Sequence, residues 1–192
     1  MIYEFAKGVC KYFVNKVLYR FNFKGLENIP EKDRLVICSN HVSLYDPVVI
    51  ATQVKRPIHF LAKAELYKNS FISWIMRKVK TIPVDRGHVS IQTLKDAMSV
   101  LKKDNILGIF PEGTRVKEGE KKEPLDGFVV FALKTKSPIL PVHIEGRFKF
   151  RAKINVTFGK PIYLNEYYGR KVKADEISEI SKDIMNQIYS LE

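Results

Sequence analysis

Apolar and polar positions follow a helical spacing in the first 25 residues of the chain. Ile2, Phe5, Val9 and Phe13 recur every three or four positions, as on one face of a helix. We expect an amphipathic helical segment over residues 1–25, as one helix or two short ones ending near Gly25. Five basic residues against one acidic residue suit a helix lying in an anionic bilayer surface. The alternative is a helix packed on the rest of the protein.

Beyond residue 25, short apolar runs alternate with stretches of helical spacing. The apolar runs predict strands at 34–39, 58–61, 81–84, 106–110, 139–144 and 154–158. The helical stretches predict helices at 47–54, 66–79 and 128–134, one capped by Ser90 and one capped by Asp175. This alternation indicates a single α/β domain over residues 26–192, with a largely parallel central sheet flanked by helices.

The predicted helix at 66–79 carries an apolar cluster from Phe71 to Met76. Such a cluster more often belongs to a hydrophobic core than to a binding channel, and we interpret it as core. A channel for an acyl chain is the alternative.

Composition narrows the classes of partner and cofactor. The chain has 192 residues, 45% of them hydrophobic, so it can form a folded domain. Its net charge of +12 favours an anionic partner, which can be a membrane surface, a phosphorylated substrate or nucleic acid. The basic residues are spread along the chain without a recognition motif, which argues against nucleic acid. Two cysteines and four scattered histidines show no ligand spacing, so we expect no metal.

Polar segments follow four of the predicted strands, where the loops of a parallel sheet build a site. They read "NHVSLYD", "AKAEL", "DRG" and "PEGTR". His41 in the first segment could act as a general base, with Asp46 fixing its tautomer and stabilising the imidazolium. Lys63, Arg86 and Arg115 could hold a phosphate. This combination indicates transfer of an activated group to a phosphorylated alcohol.

Simpler interpretations exist for the same residues. Asp46 precedes Pro47 and could be a helix N-cap, and Ser43 with Asp46 also fits a capping box. His41 could be an ordinary loop hydrogen-bonder. Cys38 could be imagined as a nucleophile beside His41, but it lies in an apolar run typical of buried cysteine.

The ordered set of motifs resembles the bacterial lysophosphatidic-acid acyltransferases, the PlsC-like branch of the glycerolipid acyltransferases. "NHVSLYD" matches the NH-x4-D motif of that family, and "FPEGTR" at 110–115 matches its third motif in every position. "PVDRG" and "ILPVHIEG" resemble the second and fourth motifs. The resemblance extends from about residue 24 to residue 162.

The resemblance implies acyl transfer from a thioester of acyl carrier protein or coenzyme A to the sn-2 hydroxyl of 1-acylglycerol-3-phosphate, giving phosphatidic acid without an acyl-enzyme. It implies His41 as general base and Asp46 as its partner. It further implies substrate-binding roles for a set of residues that follow the four strands: Lys63, Arg86, Glu112, Gly113, Thr114 and Arg115.

The resemblance also bears on partners and location. It implies lysophosphatidic acid and the acyl donor as substrates, no cofactor beyond that donor, and residence on the cytoplasmic face of the cell membrane as a peripheral or monotopic protein. Two alternatives stay open. One is an acyltransferase for another acceptor, such as glycerol-3-phosphate, a lysophospholipid or an acylated amino acid. The other is a non-catalytic basic module that binds membranes.

Overall fold

A computed structural model describes residues 8, 19–85, 90–117, 120–146 and 148–191 of the chain. Over these residues the strands are β1 (Arg20–Lys24), β2 (Leu35–Ser39), β3 (Ile58–Lys63), β4 (Ile82–Val84), β5 (Ile106–Ile109), β6 (Ile139–Glu145) and β7 (Lys153–Phe158). The α-helices are α1 (Asp46–Gln53), α2 (Ser70–Lys78), α3 (Ile91–Lys102), α4 (Gly127–Thr135) and α5 (Ala174–Ser190).

The strands form one mixed sheet in the order β1-β7-β6-β2-β5-β3-β4. The five strands from β6 to β4 in that order are mutually parallel. β7 is antiparallel to β6 and parallel to β1. The prediction of an α/β domain with a largely parallel sheet is therefore confirmed.

Buried apolar side chains cover both faces of the sheet, because strands such as β2 are buried along their whole length. Leu35 and Ile37 of β2 pack on the side of α1, whereas Val36 and Cys38 pack on the side of α3, α4 and α5. The segment predicted to be catalytic therefore begins at the end of a strand that is packed on both faces.

The N-terminal prediction is wrong for its last residues, because Arg20–Lys24 is a strand and not part of a helix. This strand pairs with β7 from Arg20 to Lys24, and Phe21 and Phe23 pack against the core on the α1 side. The α/β domain consequently includes residues before 26. Apart from Gly8, which is helical, residues 1–18 lie outside the described residues, so the amphipathic helix stays a prediction.

The helix predicted at 66–79 is divided in two. A short 3₁₀ turn, Ala64–Lys68, precedes α2, and the Asn69 side chain accepts a hydrogen bond from Ile72 N at the start of α2. None of the residues of α2 is buried. The core interpretation of its apolar cluster is therefore wrong. Among the described helices, none has the length and apolarity needed to cross a membrane.

Candidate active site

Parallel strands bring the predicted polar segments to one edge of the sheet. β2 and β5 are neighbours, β3 lies beside β5, and β4 lies beside β3. His41 follows β2, and Glu112 follows β5, so two segments 71 positions apart in sequence meet at the carboxyl ends of adjacent strands. The prediction that these segments share an edge is confirmed for β2, β3 and β5. The segment after β4 contains Arg86, which lies outside the described residues.

His41 and Asp46 form a direct pair. His41 Nδ1 lies 2.8 Å from Asp46 Oδ2. The Asp46 side chain is fully buried, and the His41 side chain is 11% exposed. Because a carboxylate only accepts hydrogen bonds, Nδ1 carries the proton of a neutral imidazole and Nε2 keeps its lone pair. Within the described residues Nε2 has no hydrogen-bond partner, so its lone pair can accept a proton.

Asp46 organises the loop before it and does not cap α1 in the usual way. The same oxygen, Oδ2, accepts hydrogen bonds from Val42 N at 2.7 Å and Ser43 N at 2.7 Å. The N-cap residue of α1 is Tyr45, which makes no side-chain cap. Only the bond to Ser43 N corresponds to half of the predicted capping box. One carboxylate oxygen thus fixes both the loop and the imidazole.

An aromatic ring also restricts the His41 side chain. The ring of Phe110 stacks on the imidazole with centroids 4.1 Å apart and planes 21° apart. Phe60 of β3 stacks on Phe110 in turn, at 5.6 Å. The imidazole is therefore held between a carboxylate at one edge and a ring on one face, which leaves little freedom for rotation.

The backbone of His41 is held by the "FPEGTR" segment and by Val116, which follows it. Glu112 Oε2 accepts a hydrogen bond from His41 N at 2.7 Å, and His41 O accepts one from Val116 N at 2.8 Å. Glu112 is fully buried, and its other oxygen, Oε1, accepts from the hydroxyl of Tyr189. Burial raises the pKa of Glu112, while the bonds from Tyr189 and His41 act in the opposite direction. With both oxygens occupied by protein donors, Glu112 is placed to position His41.

Asn40 is a site residue that sequence reasoning missed. Its side chain donates to Ile144 O at 2.8 Å and accepts from Ile144 N at 2.8 Å. It therefore anchors the start of the loop that carries His41, residues 40–45, to the end of β6. The only available signal was its place beside His41 in the motif, and a lone asparagine in a loop has many other uses.

A cavity of about 910 Å³ lies beside this loop. Asn40 and Val42, which flank His41 in sequence, form part of its wall. The wall also carries the predicted residues Thr114 and Arg115. Three lysines that were not predicted as site residues complete its basic character: Lys117, Lys121 and Lys149. The cavity thus lies beside the loop that carries His41, and its four basic side chains outnumber Glu120 and Glu145 in the same wall, which suits a phosphate.

The remaining predicted residues differ in their surroundings. Thr114 and Arg115 are exposed, and Gly113 has a φ of +67°, which glycine adopts most easily. Lys63 at the end of β3 pairs with Glu65 at 3.0 Å, so part of its charge is already compensated. Substrate contacts for these residues stay predictions.

Two other titratable residues, Cys38 and His143, lie in strands β2 and β6. Cys38 is fully buried in β2, and burial raises the pKa of its thiol well above the ordinary value, which opposes thiolate chemistry. His143 Nδ1 lies 2.8 Å from Leu191 O. Among the described residues, no group of three or more His, Cys, Asp or Glu side chains is arranged to bind a metal.

Comparison with known proteins gives relatives named as 1-acyl-sn-glycerol-3-phosphate acyltransferases. A 1-acyl-sn-glycerol-3-phosphate acyltransferase of Borreliella burgdorferi is 29% identical over 85% of this chain and 66% of its own length. The enzyme of that name from Bacillus subtilis is 29% identical over 86% of this chain and 85% of its own length. This chain thus spans about two thirds of the Borreliella protein and most of the Bacillus protein.

A solved structure has the same fold. The crystal structure of the 1-acyl-sn-glycerophosphate acyltransferase PlsC from Thermotoga maritima superposes with a TM-score of 0.72 and 26% identity, over 97% of this chain and 76% of that one. The profile of the acyltransferase family matches residues 20–145, which contain His41, Asp46 and the "FPEGTR" segment. Since that match covers more than half of the chain, this protein belongs to the acyltransferase family.

Proposed function

We propose that this protein transfers a fatty acyl group from a thioester of acyl carrier protein or coenzyme A to the sn-2 hydroxyl of 1-acylglycerol-3-phosphate. The product is phosphatidic acid, and the pathway is phospholipid biosynthesis. The observation that carries the proposal is the His41–Asp46 pair at 2.8 Å beside a basic cavity. The names of the relatives supply the acceptor, since they describe enzymes for 1-acylglycerol-3-phosphate.

The chemistry needs one base and no covalent intermediate. His41 Nε2 takes the proton of the acceptor hydroxyl as its oxygen attacks the thioester carbonyl, and a tetrahedral oxyanion forms. When the intermediate collapses, the C–S bond breaks and the leaving thiolate takes the proton from the imidazolium. Asp46 stabilises that imidazolium through Nδ1, and general-base assistance of this kind is worth roughly 10²–10⁴ in rate. A thioester is already activated, so direct attack is sufficient.

The basic cavity suits the phosphate of the acceptor. Arg115 makes no hydrogen bond or ion pair with another described residue, so its guanidinium is available for a bidentate contact. Lys117, Lys121 and Lys149 add positive charge to the same cavity. We assign the acceptor phosphate to this cavity, with Thr114 and Arg115 as contacts. Glu112 serves the reaction by positioning His41.

Membrane association is part of the proposal, because the acceptor is a lipid. The amphipathic helix predicted for residues 1–25 is one contact, in the part that precedes β1, and α2 supplies a second. Four apolar side chains of α2 are exposed: Phe71 by 68%, Ile72 by 39%, Trp74 by 52% and Ile75 by 37%. Arg77 and Lys78 are exposed on the same helix, which has no acidic residue. Exposed aromatic side chains with a basic flank complement an anionic bilayer surface.

The function is tested by a matrix of two donors and four acceptors, read by product mass. The donors are acyl carrier protein and coenzyme A thioesters. The acceptors are lysophosphatidic acid, glycerol-3-phosphate, a lysophospholipid with a larger head group and an acylated amino acid. We expect phosphatidic acid to be the main product, and we expect His41→Ala to be folded and inactive. Preference for another acceptor would replace the proposed substrate, and normal turnover by His41→Ala would eliminate the general-base role.

Asp46→Asn separates the charge of Asp46 from its hydrogen bonds. An asparagine oxygen can still accept from Val42 N and Ser43 N, but it carries no charge to stabilise the imidazolium. We expect turnover to fall by roughly 10²–10⁴ while circular dichroism shows a folded protein. Asp126→Asn is the matched control, because Asp126 begins α4 without a side-chain cap and should keep full activity. Turnover of Asp46→Asn within a few-fold of wild type would retire the pair as a catalytic unit.

Arg115→Ala tests the phosphate assignment. We expect the KM for lysophosphatidic acid to rise at least about tenfold, the scale of a lost charge-assisted contact, with little change in the KM for the donor. Monoacylglycerol, which has no phosphate, serves as the control acceptor. An equal loss of kcat/KM with monoacylglycerol would show that Arg115 does not recognise the phosphate.

Replacing Phe71 and Trp74 together by Ser tests the membrane contact of α2. We expect at least roughly tenfold weaker co-sedimentation with vesicles containing phosphatidylglycerol, since two large apolar side chains no longer enter the bilayer. Phe150→Ser is the control, because Phe150 is 72% exposed outside this helix. Undiminished vesicle binding would refute the contact. A change of oligomeric state by light scattering, with vesicle binding intact, would mean that α2 contacts another protein chain.

A further inference from the structure

We propose that Tyr189, near the C-terminus of α5, is a positioning residue for the acyl transfer: its hydroxyl fixes the Glu112 carboxylate that holds the His41 backbone. This inference deepens the proposed function and rests on it, because it assumes that His41 is the base. It assigns a role to a part of the chain beyond the matched family region at 20–145.

The contacts form one continuous path. The Tyr189 hydroxyl donates to Glu112 Oε1, and Glu112 Oε2 accepts from His41 N at 2.7 Å. A carboxylate that is bonded at only one oxygen can rotate, whereas bonds at both oxygens define its plane. The bond to His41 N fixes the backbone from which the imidazole extends. Asp46 Oδ2, which lies 2.8 Å from Nδ1, fixes the orientation of the ring. Tyr189 thus acts on the imidazole through two intervening groups.

The helix that carries Tyr189, α5, packs on the hydrophobic core. Ile180, Ile184, Met185 and Ile188 of α5 are buried in the core on that side of the sheet. The position of the Tyr189 hydroxyl is therefore set by core packing and not by the loop it contacts. A rigid donor on a packed helix can orient a loop carboxylate better than a mobile one.

Tyr189 also borders the basic cavity. Its ring lies in the cavity wall, with Lys121 Nζ 5.0 Å from the ring centroid and the His143 ring 6.1 Å away at nearly a right angle. Tyr189 accordingly lines the cavity assigned to the acceptor phosphate, and its hydroxyl also contacts Glu112, which holds the His41 backbone. No sequence pattern points to it, since a tyrosine near the end of an amphipathic helix is ordinarily packing.

The groups around Glu112 affect its pKa, so the proposal predicts how activity depends on pH. The titratable groups that face it are Tyr189 from α5, and His41 and Asp46 from the catalytic loop and α1, while Lys121 faces the Tyr189 ring. Burial raises the pKa of Glu112, and the Tyr189 bond opposes that rise. Removing the hydroxyl therefore raises the pKa further, so the carboxyl binds a proton at a higher pH. A protonated Glu112 is a weaker acceptor for His41 N.

Tyr189→Phe tests the role while keeping the ring. We expect kcat for lysophosphatidic acid to fall roughly tenfold, the scale of a lost hydrogen bond to a charged group, with little change in KM. The acid limb of the pH–kcat profile should move to higher pH. Tyr163→Phe is the matched control, because Tyr163 is 61% exposed and should leave both quantities unchanged. A loss of equal size at every pH would indicate packing alone and overturn the proposal.

A double-mutant cycle shows whether the effect passes through Glu112. In a Glu112→Ala background, Tyr189→Phe should cause little further loss of kcat, because the carboxylate that the Tyr189 hydroxyl fixes is absent. Multiplicative losses from the two variants would overturn the proposal.

Infrared titration gives a readout that needs no substrate. The carboxyl band that disappears in Glu112→Gln should titrate at a higher pH in Tyr189→Phe than in wild type, and an unshifted titration would overturn the proposal. Wild-type protein that makes no phosphatidic acid would contradict the proposed function. Active wild type with an unchanged Tyr189→Phe variant would contradict only the role of Tyr189.

Discussion

The site depends on a single buried carboxylate oxygen, Oδ2 of Asp46. It accepts hydrogen bonds from His41 Nδ1, Val42 N and Ser43 N, at 2.7–2.8 Å. A carboxylate removed from water is costly unless donors compensate it, and the loop folds back on Asp46 to supply three donors to Oδ2, while Oδ1 is buried without a hydrogen-bond partner among the described residues. The same folding brings the imidazole to the carboxylate. One requirement of burial therefore determines the loop, the tautomer of His41 and the availability of Nε2.

The sheet supplies the second constraint. β2 and β5 are parallel neighbours, so the loops that follow them meet although they are distant in sequence. Glu112 and Val116 hold His41 N and His41 O, and Asn40 ties the same loop to β6. The "FPEGTR" segment therefore makes two kinds of contact: Glu112 holds the backbone of His41, whereas Thr114 and Arg115 line the cavity. The proposed contacts to the acceptor and the support of the proposed base therefore belong to one continuous segment.

Sequence patterns predicted what depends on local periodicity and on motif order. The strand positions, the Ser90 cap of α3 and the meeting of segments at one sheet edge follow from spacing that is visible in the chain. Residues 20–24 were misassigned to a helix because a parallel partner, β7, is 133 positions away. The exposure of α2 was missed because apolar content shows only that a helix has apolar side chains. It does not show whether those side chains pack on the sheet or are exposed. Tyr189 was missed because its contact with Glu112 exists only in three dimensions.

The most direct test of the account is the protonation state of the His41 ring, measured by ¹⁵N nuclear magnetic resonance and assigned by its loss in His41→Ala. At the pH of maximal activity, the account predicts a neutral imidazole with the proton on Nδ1 and a free lone pair on Nε2. The Asp46 contact places the proton of the neutral ring on Nδ1, and a free lone pair on Nε2 is what a general base needs. An imidazole with its proton on Nε2 would contradict both the arrangement of the pair and the mechanism built on it.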